Sequence, residues 1–392
     1  MPSASTDSPR RSTGRPPPWR DVRVLGWAFQ LAIVAVVIAF VAWLYDNFRV
    51  NSNRLNIPTG YEFLDQPAGF PIPASDFRQT QPVRDAIVEG LQNTLRLAVA
   101  GIVLATVFGV LLGIARLSKN FIVRSAAKVY VEFVRNIPLL ALIFLLYTGV
   151  VLSAFPRVDR SWDYGPVTVL NVRGASLLWI EGGNWAIVAM IAVVAAAAWA
   201  TSRWRRAVSD RTGRPARPAL WVPGVAVVAG AAMWIVLGLG TTAPEIDGRR
   251  VAGGITMSPE YFAAMVALVA YTASHVAEIV RGSIQAVPRG QGEAADALAL
   301  SGFQRTWHVV LPQAMRIAVP PIGNQYLNLA KNSSLAAVIS FPELTKVTNL
   351  TVSNRSPAVP AFVLLLAIYL VLSLVLSSVV NVANRRLAIV ER

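Results

Sequence analysis

The chain has 392 residues, of which 54% are hydrophobic and only 15% charged. That composition excludes an ordinary soluble domain and fits a helical protein crossing a membrane several times. With no cysteine and only two histidines, His275 and His308, it also excludes disulfide frameworks, thiolate metal sites and histidine metal clusters.

Residues 1–23 are rich in Ser, Pro and Arg, the composition of a disordered basic tail. The apolar run 24–44 is about long enough to span a bilayer. A cleavable signal peptide has a shorter apolar core and a small-residue cleavage site; Trp43-Leu44-Tyr45-Asp46 offers none, so the run is expected to remain as a first span. Residues 45–90, with Pro58, Pro67, Pro71 and Pro73, read as a surface loop ending in a short amphipathic lead-in. Apolar segments near 91–115, 129–153, 185–202, 219–240, 261–280, 317–340 and 358–384 bring the expected spans to eight. Two of these carry polar residues: Glu132 and Arg135 in one, Asn324, Gln325, Asn328, Lys331 and Asn332 in the other. No fixed-period repeat is evident.

The formal charge of +15 suggests nucleic acid until its distribution is examined. With the N-terminus inside, the inner segments hold 22 Lys/Arg against 6 acids, and the outer loops 11 against 12. Cytoplasmic loops carry the basic excess in membrane proteins, so the charge reports orientation.

Within the spans, Gly101, Ala105, Gly109 and Gly113 recur every four residues, a spacing that lets helix backbones approach closely in lipid. Ser274, His275 and Glu278 form a polar group on the 261–280 span. On the 317–340 span, Asn324, Asn328 and Lys331 follow at intervals of four and three, and Asn332 lies four beyond Asn328, so they share a face. Polar groups facing lipid are costly and should turn to a partner helix or a water-filled route. Lining for a zwitterionic solute, interhelical hydrogen bonding and a misplaced span boundary all fit this stripe. Arg96 is expected to snorkel to the outer interface.

A stretch of different character lies between those two spans. Glu293-Ala294-Ala295-Asp296-Ala297-Leu298-Ala299 predicts a helix with acids at its start, where the dipole favours them. A break at Ser301-Gly302 follows, then a second short helix from about Phe303 that stops at Leu311-Pro312, because a residue before proline avoids the α region. Such a piece in a membrane protein has to meet something outside the membrane. No G-x-x-x-x-G-K-[ST] phosphate loop occurs anywhere in the chain, so no site of that type for ATP is encoded.

The residues Ala277–Ala295, AEIVRGSIQAVPRGQGEAA, together with Leu311-Pro312-Gln313-Ala314 and Pro320-Pro321-Ile322-Gly323-Asn324-Gln325, resemble the cytoplasmic EAA loop region of ABC importer permeases. The branch is the one for polar amino acids, the histidine, glutamate, glutamine, arginine and opine group. YVEFVRNIPLL at 130–140 and Lys331-Asn332-Ser333-Ser334-Leu335 resemble the same branch, and the likeness covers about 90–155 and 260–385. It implies an all-α polytopic membrane protein of about eight transmembrane helices, with a five-helix permease core and a cytoplasmic coupling helix. The core would comprise 91–155 and 259–385, including the EAA loop at 281–316, separated by an insertion with two spans at 156–258. The extra span 24–44 and a tail at 386–392 complete the form of the longer permeases for general L-amino acids.

The resemblance further implies a transport subunit of the bacterial inner membrane, not an enzyme, with both termini cytoplasmic. Its partners would be ABC ATPase subunits that use ATP and Mg, a second permease identical or homologous to it, a periplasmic solute-binding protein, an amino-acid substrate and membrane lipid, with no nucleic acid. No cofactor is expected in this chain. Coupling would fall to Glu293, Ala294, Ala295, Ala299, Gly302, Leu311 and Pro312, and the candidate substrate path to His275, Glu278, Asn324, Asn328 and Asn332. Ala299 stands where the family usually has glycine, and Gly302 is expected to take over the turn. A transporter or channel working alone and a non-transporting membrane scaffold remain as alternatives.

Overall fold

Proline and short polar breaks decide where the apolar runs end in the computed structural model, which describes residues 22–181, 183–213, 218–248, 250–354 and 356–387. The expected tails lie largely outside the described residues, as do Arg214 and Arg217. Helix α1 (Val22–Arg54) is apolar on nearly every side from Val24 to Tyr45, and no residue of its most apolar stretch is buried by protein. A helix hydrophobic all round needs an apolar environment, here lipid.

Helix α2 (Val83–Ala115) begins eight residues before 91 and absorbs the amphipathic lead-in. Helix α3 (Phe121–Arg135) is capped by Asn120, whose side chain accepts from the N–H groups of Ile122 at 2.9 Å and Val123 at 3.3 Å. Pro138 then ends the run, because Ile137 before it disfavours the α region. Helix α4 (Leu139–Phe144) resumes at an angle of 105° and continues with π-helical bonding through Leu145–Leu152. The single span expected at 129–153 is therefore two helices set at an angle.

The insertion holds its two expected helices, α5 (Gly183–Thr212) and α6 (Pro218–Val236), which pack on each other. It also holds strands that the sequence did not announce: β1 (Trp162–Asp163), β2 (Thr168–Asn171), β3 (Gly174–Leu177), β4 (Trp179–Ile180), β5 (Thr241–Thr242), β6 (Glu245–Asp247), β7 (Arg250–Ala252) and β8 (Ile255–Met257). An antiparallel sheet runs β1-β2-β3-β8, while β4 pairs β5 and β6 pairs β7. Gly174 has φ +114° and sits so close to the Met257 carbonyl that a Cβ would collide with it. Because β3 pairs with β8 and β4 with β5, the entry and exit of the α5–α6 pair are clasped together.

Helix α7 (Pro259–Gln285) starts at a Ser258 cap with Pro259 in the first turn, where a missing N–H costs nothing. It is followed by α8 (Arg289–Ala297), α9 (Gly302–Arg305) with π-helical bonding over Thr306–Val310, and α10 (Leu311–Asn332). A 3₁₀ turn over Ser333–Ile339 leads to α11 (Leu344–Ser353) and α12 (Ala358–Leu387). The expected span 317–340 thus ends as a helix at Asn332 and is too polar to count as a crossing by composition. Among the described residues five helices are long and apolar enough to cross, six if α3 and α4 form one span. The apolar part of α6, Trp221–Val236, is shorter than these.

The core forms around α7. Leu268 on α7 packs with Leu97 of α2, Val134 of α3, Leu142 and Ile143 of α4, and Ile339 and Phe341 beyond α10. The four-residue repeat on α2 serves this packing within the subunit. A Cβ on Gly109 would lie 2.6 Å from Val276, one on Gly113 2.8 Å from Val280, and one on Gly101 3.2 Å from Leu329.

Candidate functional site

The loop between α7 and α10 differs from its expected form in three ways. Its first helix begins at Arg289 after Pro288, so Glu293 and Asp296 lie in its middle and last turns, and the dipole argument for their positions does not apply. The turn falls at Ala299, with φ +53°, and not at Gly302, which opens α9 behind a Ser301–Gln304 capping box. The N–H of Leu300 bonds the Ala295 carbonyl at 3.1 Å and that of Ala299 the Asp296 carbonyl at 2.9 Å, the Schellman arrangement that usually places glycine where Ala299 stands. Finally, the second helix does not stop at Leu311-Pro312. The wider turns over 306–310 carry the chain past Pro312 into α10.

This loop is stapled to itself. Arg305 pairs with Asp296 at 2.8 Å, and Gln313 Nε2 donates to Gln291 Oε1 at 3.1 Å and to the Val309 carbonyl at 3.0 Å. Glu293, Ala294 and Ala297 are exposed, whereas Ala295 is buried and faces inward. Leu298 (76% exposed) and Phe303 (74%) project from the loop, and the Trp307 ring stacks on that of Phe303 at 6.0 Å. An ordered polar loop that presents three large apolar side chains has the makings of a docking surface.

The asparagine stripe lies on regular helix, which removes the misplaced-boundary reading for Asn324, Asn328 and Asn332. Asn324 and Asn328 are exposed and Asn332 half-buried, while Gly323 and Leu329 on the other face are buried. Among the described residues none of the three asparagine side chains has a hydrogen-bond partner. The stripe points out of the subunit's own core.

His275 and Glu278 are placed differently. His275 Nδ1 donates to the Tyr271 carbonyl at 2.9 Å, and its ring lies 4.6 Å from the Tyr271 ring. Glu278 accepts from Arg116 and Arg281 and stands 3.8 Å from Arg135. At the other end of α2, Arg96 bonds Asn93 and Gln92 and stands 3.6 Å from Glu89, beside a polar cavity of ≈ 400 Å³ also lined by Asp76 and Asp85. Sequence reasoning passed over Glu343, which is fully buried. Its carboxylate caps α11, accepting from the Thr345 and Lys346 N–H groups at 2.8 Å each, and receives the Tyr369 hydroxyl at 2.9 Å. Burial pushes this carboxyl up to about 7, against the pull of those donors.

The model for binding-protein-dependent transport system inner membrane components matches residues 218–389. The chain is 36% identical to the putative amino-acid ABC transporter permease YhdX of Escherichia coli K12, over 94% of this chain and 95% of that one. The chain belongs to the ABC transporter permeases. It is 37% identical to the general L-amino acid transport system permease AapQ of Rhizobium johnstonii, over 93% and 92% of the two chains. With the glutamate/glutamine/aspartate/asparagine transport system permease BztB of Rhodobacter capsulatus it shares 33%, over 95% and 96%. The permease is thus the membrane-spanning subunit of an ATP-driven importer and not an enzyme. Two features of this permease were accessible in sequence and missed. Leu298, Phe303 and Trp307 are large apolar residues in a polar loop, and Pro288 marks the start of α8.

Proposed function

We propose that this permease carries amino acids, delivered by a solute-binding protein on the outer side, into the cytoplasm, with the 286–310 loop seated on an ATPase subunit that uses ATP and Mg. The observation that carries the reading is the exposure of Leu298 and of the stacked Phe303 and Trp307 on a loop held by the Asp296–Arg305 pair. Apolar groups on an ordered loop suit a groove in a partner, and exposed Glu293 supplies a charge to orient it. Counted over the eight spans expected from the sequence, the basic excess supports placing this loop, and both termini, on the cytoplasmic side, where ATP is.

For the solute route we propose Asn324, Asn328 and Asn332, with the face of α10 they occupy turned toward a second permease chain. Unpartnered amides facing lipid would be costly, and a route shared by two subunits gives them both water and a zwitterion to bind. The amino-acid assignment draws on the substrates named for the three full-length relatives.

The test is uptake of labelled amino acids by proteoliposomes holding this chain, its ATPase and its binding protein. Uptake should require ATP hydrolysis and should fall about tenfold in Asn328→Leu, the scale of one lost hydrogen bond to a charged solute, with basal hydrolysis unchanged. Uptake by this chain alone, driven by an ion gradient, would overturn the proposal.

A further inference from the structure

At the loop end of α7, one carboxylate gathers three guanidinium groups from three helices. Glu278 Oε2 accepts from Arg116, which caps the C-terminus of α2, and stands 3.8 Å from Arg135, the last residue of α3. Glu278 Oε1 accepts from Arg281, one turn further along α7. The Arg116 side chain is only 11% exposed and that of Glu278 27%, so water screens this pair weakly, whereas Arg135 is 40% exposed and its approach is screened more. Beside the cluster the two backbones already touch: a Cβ at Gly113 would lie 2.9 Å from the Ala277 carbonyl. Three residues separate the end of α7 from α8.

We propose that Glu278 is a positioning residue, the joint through which displacement of the 286–310 loop reaches α2 and α3 together. The proposal rests on that loop being the coupling element. Close packing fixes α7 against α2, but α3 has no such glycine seam, and the Glu278–Arg135 approach ties its end to the other two helices. Without the carboxylate, three like charges face each other and the end of α3 loses its ionic tie, while Val134 still packs in the apolar cluster and the Tyr130 hydroxyl still donates to the Ala270 carbonyl at 3.3 Å. The apolar cluster around Leu268 does not include Glu278, so the fold survives the loss.

The experiment uses the assembled transporter in proteoliposomes and compares the wild-type chain with Glu278→Gln, Glu278→Asp, Arg135→Gln and the exchange Glu278→Arg with Arg116→Glu. The readouts are uptake, the ratio of hydrolysis with and without loaded binding protein, and ATPase co-purification. Glu278→Gln should lower the stimulation ratio about tenfold at unchanged co-purification. Glu278→Asp should keep most of the ratio, and the exchange should recover part of what Glu278→Gln loses, a rescue that a purely structural role does not require. If Glu278→Gln fails to reach the membrane, Arg135→Gln decides, since it removes only the ionic tie to the end of α3 and should still reduce the ratio. A wild-type ratio in Glu278→Gln, or in Arg135→Gln where that variant decides, overturns the joint. Loss of co-purification in loop variants at the same time would leave the loop's role standing, so the two failures are distinguishable.

Discussion

The pairs α2–α7 and α5–α6 are both closely packed helix pairs, yet they are held by different physics. In the first pair 33% and 67% of the most apolar stretches are buried by protein, and glycines bring the backbones into contact, whereas the corresponding stretch of α5 is 6% buried. The inserted pair meets mainly itself and lipid, and short paired strands close its ends. Its basic, aromatic end fits a membrane interface: Arg203 lies 5.1 Å from the Trp199 ring and Arg205 5.0 Å from that of Trp221. The contrast shows that the parts proposed for transport hang on α7, while the inserted helices hold mainly to each other.

Substitutions that add bulk separate the two pairs most sharply. Gly109→Val forces a side chain against Val276 and should cost about 3 kcal/mol or more, seen as loss of monodisperse, folded protein in detergent. Gly230→Val on α6, whose Cβ would find its nearest neighbour at 3.6 Å, should leave thermal stability unchanged. Equal damage from both would erase the distinction.

Next in size is the buried Glu343, because its shift links stability to pH. Its folded-state value of about 7 lies above the 4.5 of an ordinary glutamate. The folded chain therefore binds this proton more tightly, and the stability it contributes is present in full below about pH 4.5 and is lost as pH rises through about 7. Melting temperature should fall across that window, and Glu343→Gln, which cannot ionise, should flatten the fall. The same slope in the variant would show that Glu343 is not its source.

The smallest effect concerns the loop turn. Ala299 holds a left-handed conformation that glycine adopts without a Cβ clash, so Ala299→Gly should stabilise the permease by about 1 kcal/mol while leaving uptake intact. A drop in melting temperature would mean that the turn is formed differently.

Sequence made the broad fold legible because lipid demands long apolar runs, and α1, α2, α5, α7 and α12 lie where such runs are. It was less informative wherever local chemistry competes with hydropathy. Pro138 splits a run that hydropathy alone reads as continuous, and two- to four-residue strands such as β1 and β5 are too short to show an alternating pattern. At the loop, motif spacing located the element, but Ala299 in a left-handed turn contradicts the residue preference on which Gly302 was chosen. Glu343 carries no pattern at all; only the fold brings Tyr369 to it.

Whether the 286–310 loop conveys ATP hydrolysis to the permease is decided by the double variant Phe303→Asp with Trp307→Asp. Both side chains are exposed, so the isolated permease should keep its melting temperature. In the assembled transporter ATPase co-purification and amino-acid uptake should be lost together, whereas wild-type uptake and stimulated hydrolysis in this variant would rule the loop out as the coupling element.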